Sequence, residues 1–190
     1  MLAANTHLLY ISNTMKQDGI WGSLFRSRRR EESLADILHH IPLFGELTAK
    51  ELRILEQVVH IRNYQADEPV FVGTESGAGM YVIRSGRVNI VLNHKSDNPI
   101  LLSELQAGDF FGEMALLGDS ARTATAIAQD TSVLIGFFHP DLVEIISLHP
   151  EMGAKISMGL AKTLADRLRY TNEQLREVWG VRDPNEKIIR

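Results

Sequence analysis

The sequence predicts a mainly β fold with flanking helices: an antiparallel β-roll or jelly-roll barrel (a double-stranded β-helix), with helices before it and a long helix after it. Between Val58 and Phe138 the chain breaks into short apolar runs separated by turn residues, which is typical of such folds. On either side the apolar residues recur at helical spacing. We divide the chain into an N-terminal extension (1–32), a central domain (33–150) and a C-terminal helix with its tail (151–190).

Composition narrows the functional classes. The chain has 190 residues, 44% of them hydrophobic, which suffices for one domain with attachments. Its net charge of -4 argues against a general affinity for nucleic acid, and the lack of cysteine excludes disulfides and thiolate metal sites. The sequence begins without the features of a secretory signal, and no stretch approaches the roughly 20 apolar residues of a membrane span, so we expect a cytoplasmic protein.

The N-terminal extension contains an apolar, aromatic stretch from Gly19 to Phe25, which includes Trp21 and is followed by arginines at positions 26 and 28–30. Such a segment could contact an anionic membrane surface or an acidic groove of a partner. A solvated tail is the alternative that we favour. Met15 is an alternative start to Met1.

Two short helices are predicted before the sheet. The apolar residues of the first share one face, and Pro42 ends it; they are Leu34, Ile37, Leu38 and Ile41. Thr48 and Glu51 then form a Thr-x-x-Glu capping box, which predicts the start of a second helix.

Seven strands are predicted in the central domain. They cover residues 59–62, 70–72, 80–84, 88–92, 100–105, 123–128 and 132–137. We expect a tight hairpin turn at Ser85-Gly86, and longer crossing connections at 73–79 and 93–99.

Two helices are predicted after the sheet. Pro140 suits the first turn of a helix and Pro150 interrupts it; the residues expected to face inward are Leu142, Val143, Ile145 and Ile146. A longer helix follows to about Trp179, closed by Gly180, with a length of roughly 40 to 45 Å at about 1.5 Å per residue. Its apolar positions alternate steps of three and four as in a heptad seam: Leu160, Leu164, Leu168, Thr171, Leu175 and Val178. We therefore expect this helix to pair with another surface.

One stretch, from Phe110 to Ala126, combines groups that suit a ribose phosphate; it reads FFGEMALLGDSARTATA. Gly112 has no β-carbon, so a phosphate oxygen could approach its main chain closely. Glu113 could accept hydrogen bonds from a ribose hydroxyl. A helical turn over 114–117 would point its free amides at the phosphate.

The end of this stretch carries a second charge. Arg122 offers a planar fork of donors to two phosphate oxygens, and Thr123 places a hydroxyl beside it. Ala124 and Ala126 are small enough to leave room for a base. Without a ligand, the same residues are compatible with a buried ion pair between Glu113 and Arg122, and this alternative stays open.

These residues closely resemble the phosphate-binding cassette of the cyclic-nucleotide-binding domains, in which FGE, a turn of small and aliphatic residues, and an arginine before Ala, Ser or Thr follow in this order. The matching triplets are Phe111-Gly112-Glu113, Ala115-Leu116-Leu117 and Arg122-Thr123-Ala124. The segments IPLFGELTAKEL and VFVGTESGAGMYVIRSGRVNIV extend the resemblance upstream. Ala121 and Met114 depart from the pattern, where proline and leucine are common, and neither departure is expected to affect the phosphate contacts.

The family includes catabolite activator protein, the regulatory subunits of cAMP-dependent kinase, cGMP-dependent kinase and gated channels. The resemblance implies a ligand site made of Phe111, Gly112, Glu113, Met114, Ala115, Arg122, Thr123 and Ala124, with Arg167 and Tyr170 as candidate lid residues. It implies a cyclic nucleotide as the ligand, for which we favour cAMP. The alternative is cGMP, because Thr123 could bond the amino group of guanine. It also implies a homodimer through the C-terminal helix; a monomer whose helix folds across its own sheet is the alternative.

The resemblance implies a sensor that releases its nucleotide unchanged and signals, through lid movement or dimerisation, to an effector protein of unknown identity. The seven histidines do not gather and no catalytic triad order or G-x-S-x-G elbow is present, so we expect neither an enzyme nor a metal site, and no cofactor beyond the nucleotide. We expect no output domain within this sequence. Two alternatives remain: a ligand-independent interaction module of the same fold, and a transcription regulator fragment without its DNA-binding domain.

Overall fold

The computed structural model describes residues 32–179 apart from 97 and 119. The helices are α1 (Leu34–His39), α2 (Ala49–Val58), α3 (His139–Leu148) and α4 (Pro150–Trp179). The strands are β1 (His60–Tyr64), β2 (Pro69–Phe71), β3 (Ser76–Gly77), β4 (Gly79–Ser85), β5 (Arg87–Leu92), β6 (Ile100–Gln106), β7 (Phe110–Phe111), β8 (Ser120–Ala121), β9 (Thr125–Ala128) and β10 (Ser132–Phe138). A 3₁₀ helix over Glu113–Leu117, which we call the cassette turn, lies between β7 and β8. The aromatic and arginine-rich stretch of the N-terminal extension, for which we favour a solvated tail over membrane contact, lies outside the described residues, as do Met15 and the predicted cap at Gly180.

Two capping boxes start the N-terminal helices. The predicted box at α2 is confirmed: the main-chain N–H of Thr48 donates to Glu51 Oε2 at 2.7 Å, and the N–H of Glu51 donates to Thr48 Oγ1 at 3.3 Å. Ser33 and Asp36 form a second box at α1 that the sequence analysis missed. It has the same spacing, but aspartate replaces the more usual glutamate.

The strands form two four-stranded antiparallel sheets and one short pair. Sheet A has the order β1-β10-β4-β7 and sheet B the order β2-β9-β5-β6, while β3 pairs with β8. The predicted mainly β fold with flanking helices and a long C-terminal helix is confirmed. In the described part of the chain the strands make separate sheets rather than one closed barrel.

Two predicted connections are wrong. Ser85-Gly86 is not a hairpin turn, since β4 pairs within sheet A and β5 within sheet B, so these residues carry the chain from one sheet to the other. Gly86 suits this corner because its φ is +89° and an added Cβ would lie 2.2 Å from the Ser132 hydroxyl. Conversely, the predicted crossing at 93–99 is a hairpin loop, because Leu92 pairs with Ile100.

Strand boundaries differ most around the cassette, by which we mean residues 110–126. The predicted strand 123–128 begins only at Thr125, and the two-residue strands β3, β7 and β8 were not predicted. A pair of residues has no periodicity that a sequence pattern could reveal. These short strands fix both ends of the loop that carries the candidate site.

The helices after the sheets confirm the predicted break at Pro150, where α4 begins. The prediction that α3 buries four apolar residues is half wrong: Leu142 and Ile145 are buried, but Val143 is 49% and Ile146 44% exposed. Successive side chains point about 100° apart, and the side of α3 that packs on the core is the one with Leu142 and Ile145, so Val143 and Ile146 lie on the uncovered side.

The hydrophobic residues form two clusters. The first joins α1, α2, α3 and the first half of α4 to sheet A, and includes Leu38, Phe44, Ile145, Ile156 and Leu160. The second fills the space between the sheets and includes Tyr81, Phe111 and Ala126. The first half of α4 is thus anchored in the helical cluster, and this anchor places its continuation beside the cassette.

Candidate functional site

The cassette turn begins at a glycine in a left-handed conformation. Gly112 has φ +80°, a value that favours glycine, and its carbonyl accepts a hydrogen bond from the Ala115 N–H at 3.2 Å. Ala115 and Leu116 are buried, whereas Met114 and Leu117 are 56% and 66% exposed. The predicted helical turn is therefore present, in 3₁₀ form, with two apolar side chains facing outward.

Glu113 is a buried carboxylate, only 1% exposed. Its Oε1 lies 2.9 Å from Nη1 of Arg167, which reaches it from α4. Its Oε2 is also buried and has no hydrogen-bond partner. The two carboxylate oxygens of Glu113 thus differ: Oε1 is bound by Arg167, whereas Oε2 is a hydrogen-bond acceptor without a donor.

Arg122 lies on the other side of the cassette turn and is held by main-chain carbonyls. Its Nη2 donates to the Gly79 carbonyl at 2.7 Å and its Nη1 to the Gly112 carbonyl at 3.2 Å. The guanidinium carbon sits 3.9 Å from the centre of the Phe71 ring, a cation–π contact. Its Nε is buried without a partner.

The electrostatics of Arg122 follow from this setting. Burial lowers the pKa of its guanidinium, while Tyr81 and Glu113 act in the opposite direction. Because arginine keeps its proton at any ordinary pH, the site contains a fixed, incompletely solvated positive charge. An anionic ligand would compensate for the lost hydration.

The predicted ion-pair alternative is wrong. The salt bridge of Glu113 in the described structure is with Arg167, not with Arg122. The two charges of the cassette therefore do not neutralise each other by direct contact.

Of the two candidate lid residues, Arg167 reaches the cassette. Besides its bond to Glu113, its Nη2 donates to the Phe110 carbonyl at 3.2 Å, and its guanidinium carbon lies 5.2 Å from the Phe110 ring centre. Tyr170, one turn further along α4, is 39% exposed and makes no hydrogen bond or ring contact with the described residues. The helix thus contacts the cassette through Arg167.

The remaining predicted residues are spread over different environments. Thr123 is exposed, and Ala124, directly before β9, is buried. Phe111 stacks on Tyr81 with ring centres 5.7 Å apart, and Ala126 is fully buried in the same sheet cluster. Phe111 and Ala126 therefore belong to the packed floor below the site.

The residues that hold Arg122 were not predicted from the sequence. Phe71 and Gly79 contact its guanidinium, and Gly77 lies so close that an added Cβ would be 2.9 Å from its Nε. The glycines of the segment GTESGAG were the available signal, since close approach of another group is one reason for a glycine. No local pattern predicts that Phe71 stacks on a residue distant in sequence.

Two kinds of feature are absent from the part of the chain that the structure describes. No group of three or more histidine, cysteine, aspartate or glutamate side chains could hold a metal ion. None of the described helices is both long and apolar enough to cross a membrane.

Comparison with known proteins gives the family. The family model for the cyclic nucleotide-binding domain matches residues 61–149, a range that contains both sheets almost entirely and the whole cassette. This part of the chain belongs to the cyclic nucleotide-binding domain family. The resemblance drawn from the cassette residues is confirmed.

Two related proteins share the domain at moderate sequence identity. The cyclic AMP receptor protein of Thermus thermophilus is 31% identical over 134 residues, which are 70% of this chain and 60% of that protein. Glutaminase 1 of Bradyrhizobium diazoefficiens is also 31% identical over 134 residues, but these are 21% of its length. The chain therefore spans at most about three-fifths of these two relatives.

Solved structures of the family agree with the fold. The crystal structure of the Thermus thermophilus catabolite activator protein gives a TM-score of 0.64 at 30% identity, with 72% of this chain and 62% of that one covered. The N-terminal domain of a transcriptional regulator from Streptomyces coelicolor gives 0.63 at 25% identity, with 74% and 95% covered.

Proposed function

We propose that this chain is a regulatory sensor that binds a cyclic nucleotide at the cassette and responds through α4. The observation that carries this proposal is a pair of buried, unpartnered polar atoms, Arg122 Nε and Glu113 Oε2. Leaving a buried donor or acceptor unpaired costs about 1 to 3 kcal/mol each, more for charged groups, and these two atoms belong to oppositely charged groups of the same cassette. One belongs to a cation and the other to an anion, which matches a phosphate and a ribose hydroxyl.

The phosphate would be held by Arg122 beside the cassette turn. Each Nη of a guanidinium carries two hydrogens, and one of each is directed at a carbonyl, of Gly79 or Gly112. The hydrogens that remain, including the one on the unpartnered Nε, can bond two phosphate oxygens at once, a bidentate contact that arginine favours. Stacking on the Phe71 ring holds the orientation of the Arg122 guanidinium, so this side chain loses less rotational freedom when a phosphate binds.

The ribose would be held by Glu113. Because Oε1 is already bonded to Arg167, Oε2 is the atom left to accept a sugar hydroxyl. A nucleotide bound in this way stabilises the arrangement in which Arg167 contacts the cassette. Preferential binding to one arrangement of α4 is the requirement for transmitting occupancy.

We propose cAMP as the ligand, supported by the name of the Thermus thermophilus relative. The alternative, cGMP, is supported by the exposed hydroxyl of Thr123 beside Arg122. We propose that the nucleotide is released unchanged, because Glu113 is held by Arg167 and the described residues of the cassette include no second carboxylate or histidine that could activate water. The family is a binding domain family.

Titration calorimetry with cAMP and cGMP tests the proposal. We expect the native chain to bind cAMP more tightly than cGMP, and Arg122→Leu to weaken binding by about 2 to 4 kcal/mol, the cost of truncating a buried charged partner. Arg87→Leu is the matched control, since Arg87 is half-exposed and pairs with Glu104 and Asp130 outside the cassette. If neither nucleotide binds the native chain, or if both variants bind alike, the proposed site is wrong.

We further propose a homodimer through the second half of α4. From Leu168 onward its apolar side chains are exposed: Leu168 by 62%, Leu175 by 41%, Val178 by 56% and Trp179 by 72%. Such a contiguous apolar face favours association with another chain. Sedimentation equilibrium should show a dimer that Leu168→Glu dissociates, while Arg169→Glu, an exposed position on the same helix, leaves it intact. A native chain that sediments as a monomer at all concentrations contradicts the dimer.

A second candidate, the sensor part of a transcription regulator, is supported by the likeness to the N-terminal domain from Streptomyces coelicolor. In that case α4 would transmit occupancy to a DNA-binding unit rather than to a separate effector protein. A protein pull-down with and without cAMP, followed by a DNA shift assay with the complete reading frame, distinguishes the two. DNA binding that depends on cAMP favours the regulator; a captured protein without DNA binding favours the separate sensor.

A further inference from the structure

His139 connects the cassette turn to the helices that follow the sheets. It is half-buried and is the first residue of α3, directly after β10. Its main-chain N–H donates to the Ala78 carbonyl at 2.7 Å, and its ring Nδ1 lies 2.7 Å from the Leu116 carbonyl. Because a carbonyl oxygen can only accept, Nδ1 must carry the hydrogen for this bond to form.

The hydrogen bond from His139 Nδ1 to the Leu116 carbonyl caps the C-terminal end of the cassette turn. The last carbonyls of a helix have no partner within that helix, and Leu116 is the second-last residue of the turn. Its side chain is 1% exposed and belongs to the helical cluster, so its carbonyl is held on a well-packed residue. His139 thus provides a cap from a different element of the fold.

Because of its position in the chain, His139 joins the cassette turn to the helices that follow the sheets. Ala78 precedes Gly79, whose carbonyl holds Arg122, so the two bonds of His139 connect the cassette turn with the neighbour of a residue that holds Arg122. The same residue starts α3, which leads through His149 into α4 and so to Arg167. The cassette therefore contacts this helical segment at its start, through His139, and further along, through Arg167.

We propose that His139 is a positioning residue that links movement of the cassette turn to movement of α3. This inference rests on the proposed function, because it assigns the route by which occupancy of the site reaches α4. The proposed link depends on the hydrogen that Nδ1 donates to the Leu116 carbonyl.

Two isosteric variants test the link. The amide nitrogen of asparagine takes nearly the place of Nδ1 and can donate, whereas aspartate has the same shape but no donor when ionised. We compare His139→Asn with His139→Asp, and add His139→Leu as a variant without charge. His149→Leu, at an exposed position between α3 and α4, is the matched control.

Hydrogen exchange followed by mass spectrometry provides the readout, first without ligand. We expect amides of 113–118 to exchange at least about fivefold faster in His139→Asp and His139→Leu than in the native chain, His139→Asn and His149→Leu. This arm needs no nucleotide, so it remains valid if the proposed function fails. Unchanged exchange in both donor-free variants overturns the inference.

The second arm measures coupling at saturating cAMP. In the native chain and in His139→Asn, cAMP should slow exchange in both 113–118 and 139–148, by at least about fivefold, the lower end of common coupling energies. In His139→Asp and His139→Leu, cAMP should still slow 113–118 but leave 139–148 unchanged. A purely structural role would not separate the two segments, so equal slowing of both in all variants overturns the link. Absence of any cAMP effect in the native chain contradicts the proposed function instead.

Discussion

Arg122 shows how a single side chain is prepared for an anion. Two carbonyls and the face of Phe71 fix its guanidinium, yet its Nε stays unpartnered and burial works against its charge. Such a group is costly until an anion arrives, and its rigidity is what makes the later contact favourable. The same reasoning applies to Glu113, whose Oε2 is buried and has no hydrogen-bond donor among the described residues.

At this scale the sequence predicted the charged residues but not their partners. Gly112, Glu113 and Arg122 stand in one short stretch, so their order reveals a site. Arg167 and Phe71 are distant in the chain, and only the fold brings them to those charges. For the same reason nothing in the sequence indicates that His139 bonds the Leu116 carbonyl.

Gly77 gives a stability prediction at the residue scale. An added Cβ would lie 2.9 Å from both Arg122 Nε and the Ala115 Cβ, so Gly77→Ala must displace the arginine or the cassette turn. We expect a loss of about 1 to 3 kcal/mol in the free energy of unfolding, as for other overpacked sites. Gly45→Ala is the control, because its new Cβ would meet nothing nearer than 3.8 Å. Urea unfolding that shows equal stability for the two variants would contradict the tight packing of Arg122.

At the scale of elements, α4 connects the helical cluster to the cassette. Its first half is buried on the core, and Arg167 extends that contact to Glu113. We expect Arg167→Met to weaken cAMP binding by about tenfold, because Glu113 would lose the partner that orients it. Arg169→Met, which loses only a bond to Asp166 on the same helix, should leave the Kd unchanged in calorimetry. Equal Kd values for native chain and Arg167→Met would show that α4 takes no part in binding.

A second ion pair joins α4 to α2. Lys155 Nζ donates to Glu51 Oε1 at 2.9 Å and to Oε2 at 2.8 Å. Burial alone would raise the pKa of Glu51, but the hydrogen bonds from Lys155 and Thr48 outweigh it and lower the pKa to about 2 from an ordinary value of 4.5. A carboxylate with a lowered pKa in the folded state stabilises the fold fully above pH 4.5 and loses this contribution as the pH falls towards 2.

This pair predicts a specific dependence on pH. At pH 7, Lys155→Met should lower the free energy of unfolding by about 1 to 2 kcal/mol, a value reduced for the partial exposure of the lysine. The difference from the native chain should shrink as Glu51 is protonated in acid. Lys162→Met, an exposed position on the same helix, is the control. Urea unfolding of the native chain and both variants at several pH values measures this dependence. If the difference between the native chain and Lys155→Met stays constant as the pH falls from 4.5 towards 2, the stabilisation has another cause.

Elements were predicted in proportion to their length and periodicity. The long runs of β4, β5, β6 and β10 and the helix α4 were found near their observed bounds. The connections were not, because whether Ser85-Gly86 joins neighbours or crosses between sheets depends on pairing with distant strands. Similarly, Val143 and Ile146 are apolar but face outward, and only the packing of α3 decides which of its sides is covered.

At the scale of the whole molecule, two packed units meet at the cassette. The sheets hold Arg122 and the floor below it, while the helical cluster holds α3 and α4, which contact the cassette through His139 and Arg167. This arrangement suits a sensor, because a ligand between the units contacts both. The family was predictable from the sequence, since one local cassette identifies it. Dimerisation and the division of the chain at residues 32 and 150 stay predictions.

The most direct test of the central claim is a crystal structure of the chain grown in saturating cAMP. The proposed site predicts density for a cyclic phosphate whose oxygens lie about 2.7 to 3.2 Å from the Arg122 guanidinium, with a ribose hydroxyl at the same distance from Glu113 Oε2. Arg167 should keep its bond to Oε1. A cassette that stays empty at saturating cAMP, or that binds the nucleotide away from Glu113 and Arg122, would contradict the account.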